Sequence, residues 1–254
     1  MESPAPLNLL TTCLWEQSCS GARRESSSYM LAANVLYQSA LRGLRAVSPL
    51  LSRGSSKLSR GLRGRRDAQE LLAAWGRSSR DSSRPTLWVH TSSVGEALQA
   101  RSVLEAIRKR APQIQVAATF FSPSAENLRS AYPADVTAYL PWDLPSTMGA
   151  VLDTLHPSAL LFTQKEVWPT LTAEAVARKV PTFLIAGTLA QGAARLAWPV
   201  RWLLAPTFSS LHAVAAISPE DGERFRQLCI PSHRIFVTGD PGIDSAWSHA
   251  SGVN

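Results

Sequence analysis

The chain has 254 residues, 45% of them hydrophobic, and a formal net charge of +7 at pH 7. This length and apolar content predict a globular protein of one large or two small domains and exclude an intrinsically disordered chain. The three cysteines, Cys13, Cys19 and Cys229, form no C-x-x-C pair, so the sequence favours a reducing compartment over a disulfide framework or a zinc site.

The positive charge is concentrated in one segment. Eight basic residues and no acidic residue lie between Arg42 and Arg66, which leaves the rest of the chain close to neutral. A local basic patch of this kind indicates a binding surface and does not determine the fold. The sequence contains no apolar run of the roughly 18 residues that a membrane span needs, and its first residues lack the pattern of a secretion signal.

The amino-terminal quarter divides into a tail and a helix. Residues 1–29 are rich in Ser and Pro, which predicts a flexible tail. Residues 30–66 form an amphipathic helix that runs into the basic block, with apolar positions every three or four residues at Met30, Ala33, Tyr37, Leu41, Leu44, Val47 and Leu51. Two alternatives stay open here. In the first, the segment lies on an anionic membrane surface, and each basic residue adds about 1 kcal/mol to the free energy of binding. In the second, the helix packs on the domain with a solvated basic linker behind it.

Residues 67–244 alternate between strand and helix patterns. The seven strand-like apolar runs are Leu87–His90, Ile114–Phe120, Val136–Leu140, Ala159–Thr163, Thr182–Ala186, Ala213–Ile217 and Ile235–Thr238. Helical stretches follow that begin near Glu96, Pro123, Pro145, Trp168, Gly192 and Pro219. This order predicts an α/β domain, a Rossmann-like, doubly wound and mostly parallel sheet of about seven strands.

The most informative stretch is the turn from the first strand into its helix. Ser92, Ser93, Val94 and Gly95 connect the strand to Glu96, which opens the helix. One interpretation is a capping box, in which Ser93 accepts from the Glu96 N–H and Glu96 accepts from the Ser93 N–H. The other is a base that faces the crevice at the carboxyl edge of the sheet, beside free N–H groups that hold an anion. The turn is not G-x-G-x-x-G and no acid follows the second strand, so we expect no dinucleotide and no other cofactor.

Three further loops follow strands at the same predicted edge. One carries Glu166 just before Trp168 and Pro169, a second contains Asp143, and the third runs from Val237 to Asp244. The structural alternative for Glu166 is a carboxylate that stabilises the first turn of a helix.

The order of these motifs resembles a known family. H-x-S-S-V-G-E, L-P-W-D-x-P, E-V-W-P and S-P-E-D-G-E-R-F ahead of R-I-F-V-T-G-D are similar to the amino-terminal domain of 3-deoxy-D-manno-octulosonic acid (Kdo) transferases. The likeness runs from about Met30 to Asp244. It implies one half of a GT-B glycosyltransferase, the half that binds the acceptor.

The resemblance also implies roles for individual residues. Glu96 is the general base that takes the proton of the acceptor hydroxyl, and Glu166 supports the transition state. The loop of Ser92, Ser93, Val94 and Gly95 binds substrate. The implied acceptor is a lipid A precursor and the implied donor is CMP-Kdo, in lipopolysaccharide core assembly at the cytoplasmic face of the bacterial inner membrane.

The chain departs from the family pattern at several positions. Gln164 stands where a second acid is common, Gly242 stands at a usually basic position, and Ala186–Ala190 lacks the usual Asn and Arg. Arg195 or Arg201 could contact an acceptor phosphate, or both could be solvated helix charges. Because residues 245–254 show no strand pattern, we expect a disordered end and no donor-binding domain.

Two other functions are compatible with the sequence. The first is a non-catalytic remnant that binds anionic lipid or a partner protein. The second is a nucleic-acid binder, suggested by the sequence pI of about 9.8. The basic block has no interleaved aromatic residues and matches no nucleic-acid motif, so no nucleic-acid partner is expected.

Overall fold

A computed structural model describes residues 27–251 of the chain. Its centre is a single sheet in which all seven strands run parallel, in the order β3-β2-β1-β4-β5-β6-β7. The strands are β1 Thr86–Thr91, β2 Gln115–Phe120, β3 Val136–Tyr139, β4 Ala159–Thr163, β5 Thr182–Gly187, β6 Ala213–Ala216 and β7 Ile235–Val237. The predicted fold class is confirmed, and each predicted strand is present to within two residues.

Helices cover both faces of this sheet. They are α1 Ser27–Leu51, α2 Lys57–Ser78, α3 Val94–Arg110, α4 Pro145–Leu155, α5 Pro169–Ala177, α6 Val200–Ser209, α7 Pro219–Arg226 and α8 Pro241–Ser251. Proline occupies the first turn of α4, α5 and α7, where its missing N–H costs no hydrogen bond. The helix expected near Pro123 is instead a 3-10 helix, Pro123–Ala131.

The sheet separates two apolar clusters. Trp88 and Phe162 belong to the larger cluster, which lies under α2, α4 and α5. Val89 and Phe120 belong to the smaller one, which lies under α3. Neighbouring residues of one strand thus belong to opposite clusters, so β1 and β2 are buried along their whole length and show no alternation of buried and exposed residues.

The strand order reverses direction beside β1, whose neighbours are β2 on one side and β4 on the other. At such a switch point the loops after the two central strands diverge and leave a crevice at the carboxyl edge of the sheet. The loops after β1 and β4 are the ones that carry Glu96 and Glu166. The topology therefore places both acidic loops at the expected ligand site of an α/β domain.

The boundary expected at residue 66 falls inside a helix. Helix α2 begins at Lys57, continues to Ser78 and packs on β3 and α4. A small residue makes the contact with β3 possible, because a Cβ added to Gly64 would overlap the Tyr139 ring, and Ser59 and Gly61 of the same helix are also buried. The second half of the basic block is therefore part of the folded domain and not a linker.

The predicted apolar stripe of α1 divides between two faces. Tyr37 and Leu41 pack towards the domain, where Leu41 contacts the small cluster of Leu62, Trp142 and Leu144. Leu44, Val47 and Leu51 are exposed instead. Apolar residues of this 25-residue helix occupy more of its circumference than one stripe, so some of them stay in contact with solvent.

The two ends of the chain also differ from expectation. Residues 245–251, expected to be disordered, continue α8, which packs on α3. Asp240 anchors this helix because its carboxylate accepts from the Gln99 amide and from the Gly242 N–H. The predicted tail lies outside the described residues up to position 26, and Ser27–Tyr29 belong to α1.

Candidate active site

Glu96 adopts a capping arrangement at the start of α3. The Ser93 hydroxyl oxygen accepts from the Glu96 N–H at 3.3 Å, and the Ser93 hydroxyl donates to Glu96 Oε1 at 3.2 Å. Glu96 Oε2 accepts from the Ser92 N–H at 2.8 Å, where the sequence predicts the Ser93 N–H as donor. The extended backbone of Ser93 brings the N–H of the preceding residue, Ser92, within reach of the carboxylate.

These contacts enclose the carboxylate. Glu96 is only 4% exposed, so the expectation that it faces an open crevice is wrong for this conformation. Burial raises the pKa of Glu96 and the negative charge of Glu166 adds to the rise, while hydrogen bonds from Ser92 and Ser93 oppose it. A carboxylate with a raised pKa takes up a proton more readily than a solvated one and is therefore a stronger base.

Glu166 lies close enough to Glu96 for their charges to interact, and it forms an ion pair of its own. Arg195 donates to Glu166 Oε1 at 2.8 Å, and both side chains are roughly 70% buried. Arg195 is therefore not simply a solvated helix charge, because it is paired with Glu166.

The loop after β4 is fixed by a chain of amide contacts. Gln164 has a φ of 59°, a left-handed conformation that is uncommon for residues other than glycine. Its side-chain amide donates to Gln99 on α3, and the Gln99 amide donates to Asp240 before α8, each at 2.8 Å. Gln164, at a position where the family often has an acid, thus joins three elements.

His90 connects the same loop to β1. Trp168 Nε1–H can only donate, so the 2.9 Å contact makes His90 Nε2 the acceptor and leaves its proton on Nδ1, which donates to Thr119 Oγ1 at 3.1 Å. Burial, together with the nearby charge of Arg65, lowers the pKa of His90 to about 3. His90 is therefore neutral, and it positions Trp168 without exchanging a proton.

Asp143, in the loop after β3, is a second buried carboxylate. It accepts from the Thr170 and Leu171 N–H groups at the start of α5, at 3.0 and 2.8 Å, and from the Tyr37 hydroxyl of α1 at 2.8 Å. Burial raises the pKa of Asp143 and these hydrogen bonds oppose the rise. The sequence motif contains this residue, but no local pattern reveals a partner 106 positions away.

Within residues 27–251 no cluster of three or more His, Cys, Asp or Glu side chains has the geometry to hold a metal ion. Two carboxylates flank the switch point, and the N–H groups of Ser93, Val94 and Gly95 donate to no atom of the described chain. Such an arrangement can bind an anion at the helix start and take a proton beside it.

Solved structures share this fold. One is a UDP-GlcNAc 2-epimerase from Neisseria meningitidis bound to UDP-GlcNAc, at 17% identity and a TM-score of 0.51, with 65% of this chain and 50% of that chain covered. Another is the UDP-GlcNAc 2-epimerase from Methanocaldococcus jannaschii, at 12% identity and a TM-score of 0.51, with 65% and 48% covered. At these identities the likeness concerns the fold, and it corresponds to about half of each longer chain.

Curated proteins give a closer likeness. The chain is 24% identical over 160 residues to the 3-deoxy-D-manno-octulosonic acid transferase of Haemophilus influenzae, covering 62% of this chain and 38% of that protein. It is 29% identical over 187 residues to the protein of the same name from Bordetella pertussis, covering 70% and 43%. The chain thus spans about two-fifths of the length of these relatives. The model of the family described as 3-deoxy-D-manno-octulosonic-acid transferase (kdotransferase) matches residues 66–245. With both acidic loops and all seven strands inside the matched region, the chain belongs to the 3-deoxy-D-manno-octulosonic-acid transferase family.

Proposed function

We propose that this chain is the acceptor-binding half of a glycosyltransferase that moves Kdo from CMP-Kdo to a lipid A precursor in lipopolysaccharide core biosynthesis. The observation that carries the proposal is the position of Glu96 and Glu166 on either side of the switch point, inside the region that the family model matches. The donor nucleotide sugar requires a second domain.

In this proposal Glu96 is the general base. The acceptor hydroxyl approaches the start of α3, Glu96 takes its proton, and the oxygen attacks the anomeric carbon of Kdo as cytidine monophosphate leaves. Because the carboxylate is only 4% exposed, the Ser92 and Ser93 contacts must open when the acceptor binds. The raised pKa of Glu96 supports this role, since it makes the carboxylate a stronger base.

The loop of Ser92, Ser93, Val94 and Gly95 supplies the substrate contacts. N–H groups at a helix start attract anions because the helix dipole adds to their hydrogen bonds. Glu166 is neutralised by Arg195 at 2.8 Å, so in this proposal it supports the transition state as part of an ion pair and not as a free carboxylate.

The test is sugar incorporation from CMP-Kdo into lipid A precursor, with this chain supplemented by the donor half of a family member. The proposal expects turnover by the supplemented chain, none by the chain alone, and a loss of about a hundredfold or more in Glu96→Gln. Unchanged turnover in Glu96→Gln would remove Glu96 from the chemistry and leave it a helix cap.

We also propose that α1 and the first half of the basic block, with Arg42, Arg45 and Arg53, hold the chain at an anionic membrane surface, on the cytoplasmic face of the bacterial inner membrane. No helix within residues 27–251 has the length and apolar character to cross a bilayer. Helix α1 nevertheless leaves large apolar side chains in contact with solvent, among them Leu31 at 67% and Leu36 at 70% exposure. Exposed basic side chains accompany them, at Arg42, Arg45 and Arg53. An apolar face beside cationic residues suits an interface with anionic lipid.

Vesicle sedimentation tests the surface. Removing Arg42 and Arg53 together should weaken binding to phosphatidylglycerol vesicles by about 1 kcal/mol, roughly fivefold, for each charge. The matched control is Lys109→Ala with Arg110→Ala at the exposed end of α3, which removes the same charge from a different surface. Equal losses in the two double variants would indicate a general charge effect and contradict the proposed surface.

A second candidate is favoured by the burial of Glu96. If the capping contacts never open, the chain is a non-catalytic member of the family that binds anionic lipid. That function expects vesicle binding by the wild-type chain and no sugar incorporation with any donor half.

A further inference from the structure

Arg65 is a partly buried cation that has no anionic partner among residues 27–251. It lies on α2, with Cζ 3.7 Å from the centroid of the Phe121 ring and 6.0 Å from that of Trp142. Its N–H groups donate to no atom of the described chain, and no Asp or Glu oxygen there lies within ion-pair distance. The guanidinium therefore has aromatic contacts on its face and unused donors at its edge.

Holding this charge partly out of water costs free energy. Burial lowers the pKa of Arg65 to about 10, and the nearby tyrosine hydroxyls of Tyr37 and Tyr139 carry no charge at neutral pH to compensate it. Buried charges in proteins are normally paired. An unpaired one is therefore a reason to look for a ligand that completes the pair.

The position of Arg65 identifies where that ligand would bind. Phe121 directly follows β2 and Trp142 follows β3, so both lie at the carboxyl edge of the sheet. This is the edge at which α/β domains bind their ligands.

A short series of contacts joins Arg65 to the candidate active site. Phe121 stacks on Trp168 at 5.1 Å between ring centroids, and Trp168 donates to His90. The Ser92 hydroxyl lies 3.4 Å from His90 Nε2, and the Ser92 N–H binds the Glu96 carboxylate. Arg65 is therefore a neighbour of the loop after β4 and is linked to Glu96 through this series of contacts.

We infer that Arg65 binds a phosphate monoester of the acceptor glycolipid, and the inference rests on the proposed function. The contact of Cζ with the Phe121 ring at 3.7 Å holds the guanidinium in place, and its coplanar N–H donors have the geometry of a two-pronged contact with phosphate oxygens. Bound phosphate supplies the missing negative charge and orients the acceptor for the base.

The same phosphate chemistry is found in ordinary phospholipids, so the experiment has to distinguish the two sources. The probes are bisphosphorylated lipid A precursor in detergent micelles, the same glycolipid with both phosphates removed, and phosphatidylglycerol micelles. Binding to the whole chain is followed by tryptophan fluorescence, since Trp142 and Trp168 lie beside the site. No turnover is required.

The variant is Arg65→Met, which keeps the alkyl packing, and the matched control is Arg66→Met. Arg66 is the next residue on α2, its side chain is 54% exposed, and its loss removes the same charge. Arg65→Met should bind the bisphosphorylated acceptor about ten- to a hundredfold more weakly, the range of a hydrogen bond to a charged group. Arg66→Met should change this affinity less than about threefold. With the dephosphorylated glycolipid and with phosphatidylglycerol, Arg65→Met should bind as the wild-type chain does.

Several results would overturn the inference. Equal losses in the two variants, or a loss in Arg65→Met that persists without the acceptor phosphates, would exclude a phosphate contact. An equal loss on phosphatidylglycerol would assign Arg65 to the membrane surface. A wild-type chain that binds no lipid A precursor would refute the proposed function as well. If the wild-type chain binds the precursor and Arg65→Met binds it equally well, only the inference is refuted.

A stability measurement guards against a folding defect. Removing an unpaired, partly buried cation should leave the melting temperature of Arg65→Met equal to or above that of Arg66→Met. A lower melting temperature would identify Arg65 as a structural residue and overturn the inference.

Discussion

Replacing Glu96 separates its capping role from its proposed catalytic role. In Glu96→Gln the amide oxygen can accept from the Ser92 N–H and the amide nitrogen can donate to the Ser93 hydroxyl, so both side-chain contacts of the present structure are reproduced. We expect the free energy of unfolding at pH 7 to change by less than about 1 kcal/mol. Glu96→Ala leaves the buried Ser92 N–H without an acceptor and should cost about 1 to 3 kcal/mol.

The pH dependence of stability provides an internal check. Because the pKa of Glu96 is raised in the folded chain, the folded state binds more protons than the unfolded state between the two pKa values. The stabilisation that comes from this proton is present below the unfolded pKa and is lost as pH rises through the folded pKa. The wild-type chain should therefore lose stability relative to Glu96→Gln over this window, from about pH 4.3 upwards.

Urea unfolding followed by tryptophan fluorescence, repeated from acidic to neutral pH, measures both effects. A wild-type chain that gained stability relative to Glu96→Gln as pH rose would refute the reasoning, because the charged carboxylate would then be favoured by folding. A loss above about 2 kcal/mol in Glu96→Gln at pH 7 would also refute it, since the amide would have failed to replace the carboxylate.

Two further perturbations test how helices α1 and α2 are attached to the domain. Tyr37→Phe removes the hydrogen bond to the buried Asp143 carboxylate and should lower the free energy of unfolding by about 1.5 to 3 kcal/mol; an unchanged value would mean that this bond is not formed in solution. Gly64→Ala places a methyl group where it overlaps the Tyr139 ring and should lower the free energy of unfolding by about 1 to 3 kcal/mol. Its control, Gly43→Ala, meets no atom within 4 Å on the exposed side of α1 and should gain about 0.5 to 1 kcal/mol; similar melting temperatures for the two alanine variants would contradict the close packing of α2.

The sheet could be predicted from the sequence because its strands are buried on both faces. Runs such as Val116–Ala118 and Leu160–Phe162 are apolar without interruption, and a parallel sheet covered by helices is the architecture that produces such runs. The sequence also predicts both acidic loops at one edge of the sheet, whereas the strand order that creates the switch point beside β1 is seen only in the fold.

The packing of helix α2 on the domain could not be predicted from the sequence, because its close contacts depend on glycines, which have no side chain. Gly61 and Gly64 approach Pro123 and Tyr139 closely, and Ser59 is buried through hydrogen bonds, so the buried face contains few apolar residues. A pattern search reads such a face as a polar linker.

The environment of Glu96 was only half predictable. The spacing of Ser93 and Glu96 indicated a cap, and the structure contains one. The enclosure of the carboxylate depends on elements that come together only in the fold, and so does the ion pair between Glu166 and Arg195, which are 29 positions apart. Arg65 was visible only as one member of a basic block, because its isolation from carboxylates is a property of three-dimensional packing.

Strand β7 has a practical consequence for every measurement on this chain in isolation. It ends the sheet with three residues, and its outer edge pairs with no strand of the described chain. Phe236 and Val237 beside that edge are 56% and 54% exposed. Unused backbone donors and acceptors next to apolar side chains form a template on which a second molecule can add its own strand, so self-association rises with concentration. Titrations should accordingly be run dilute, with sedimentation velocity verifying that single molecules are being titrated.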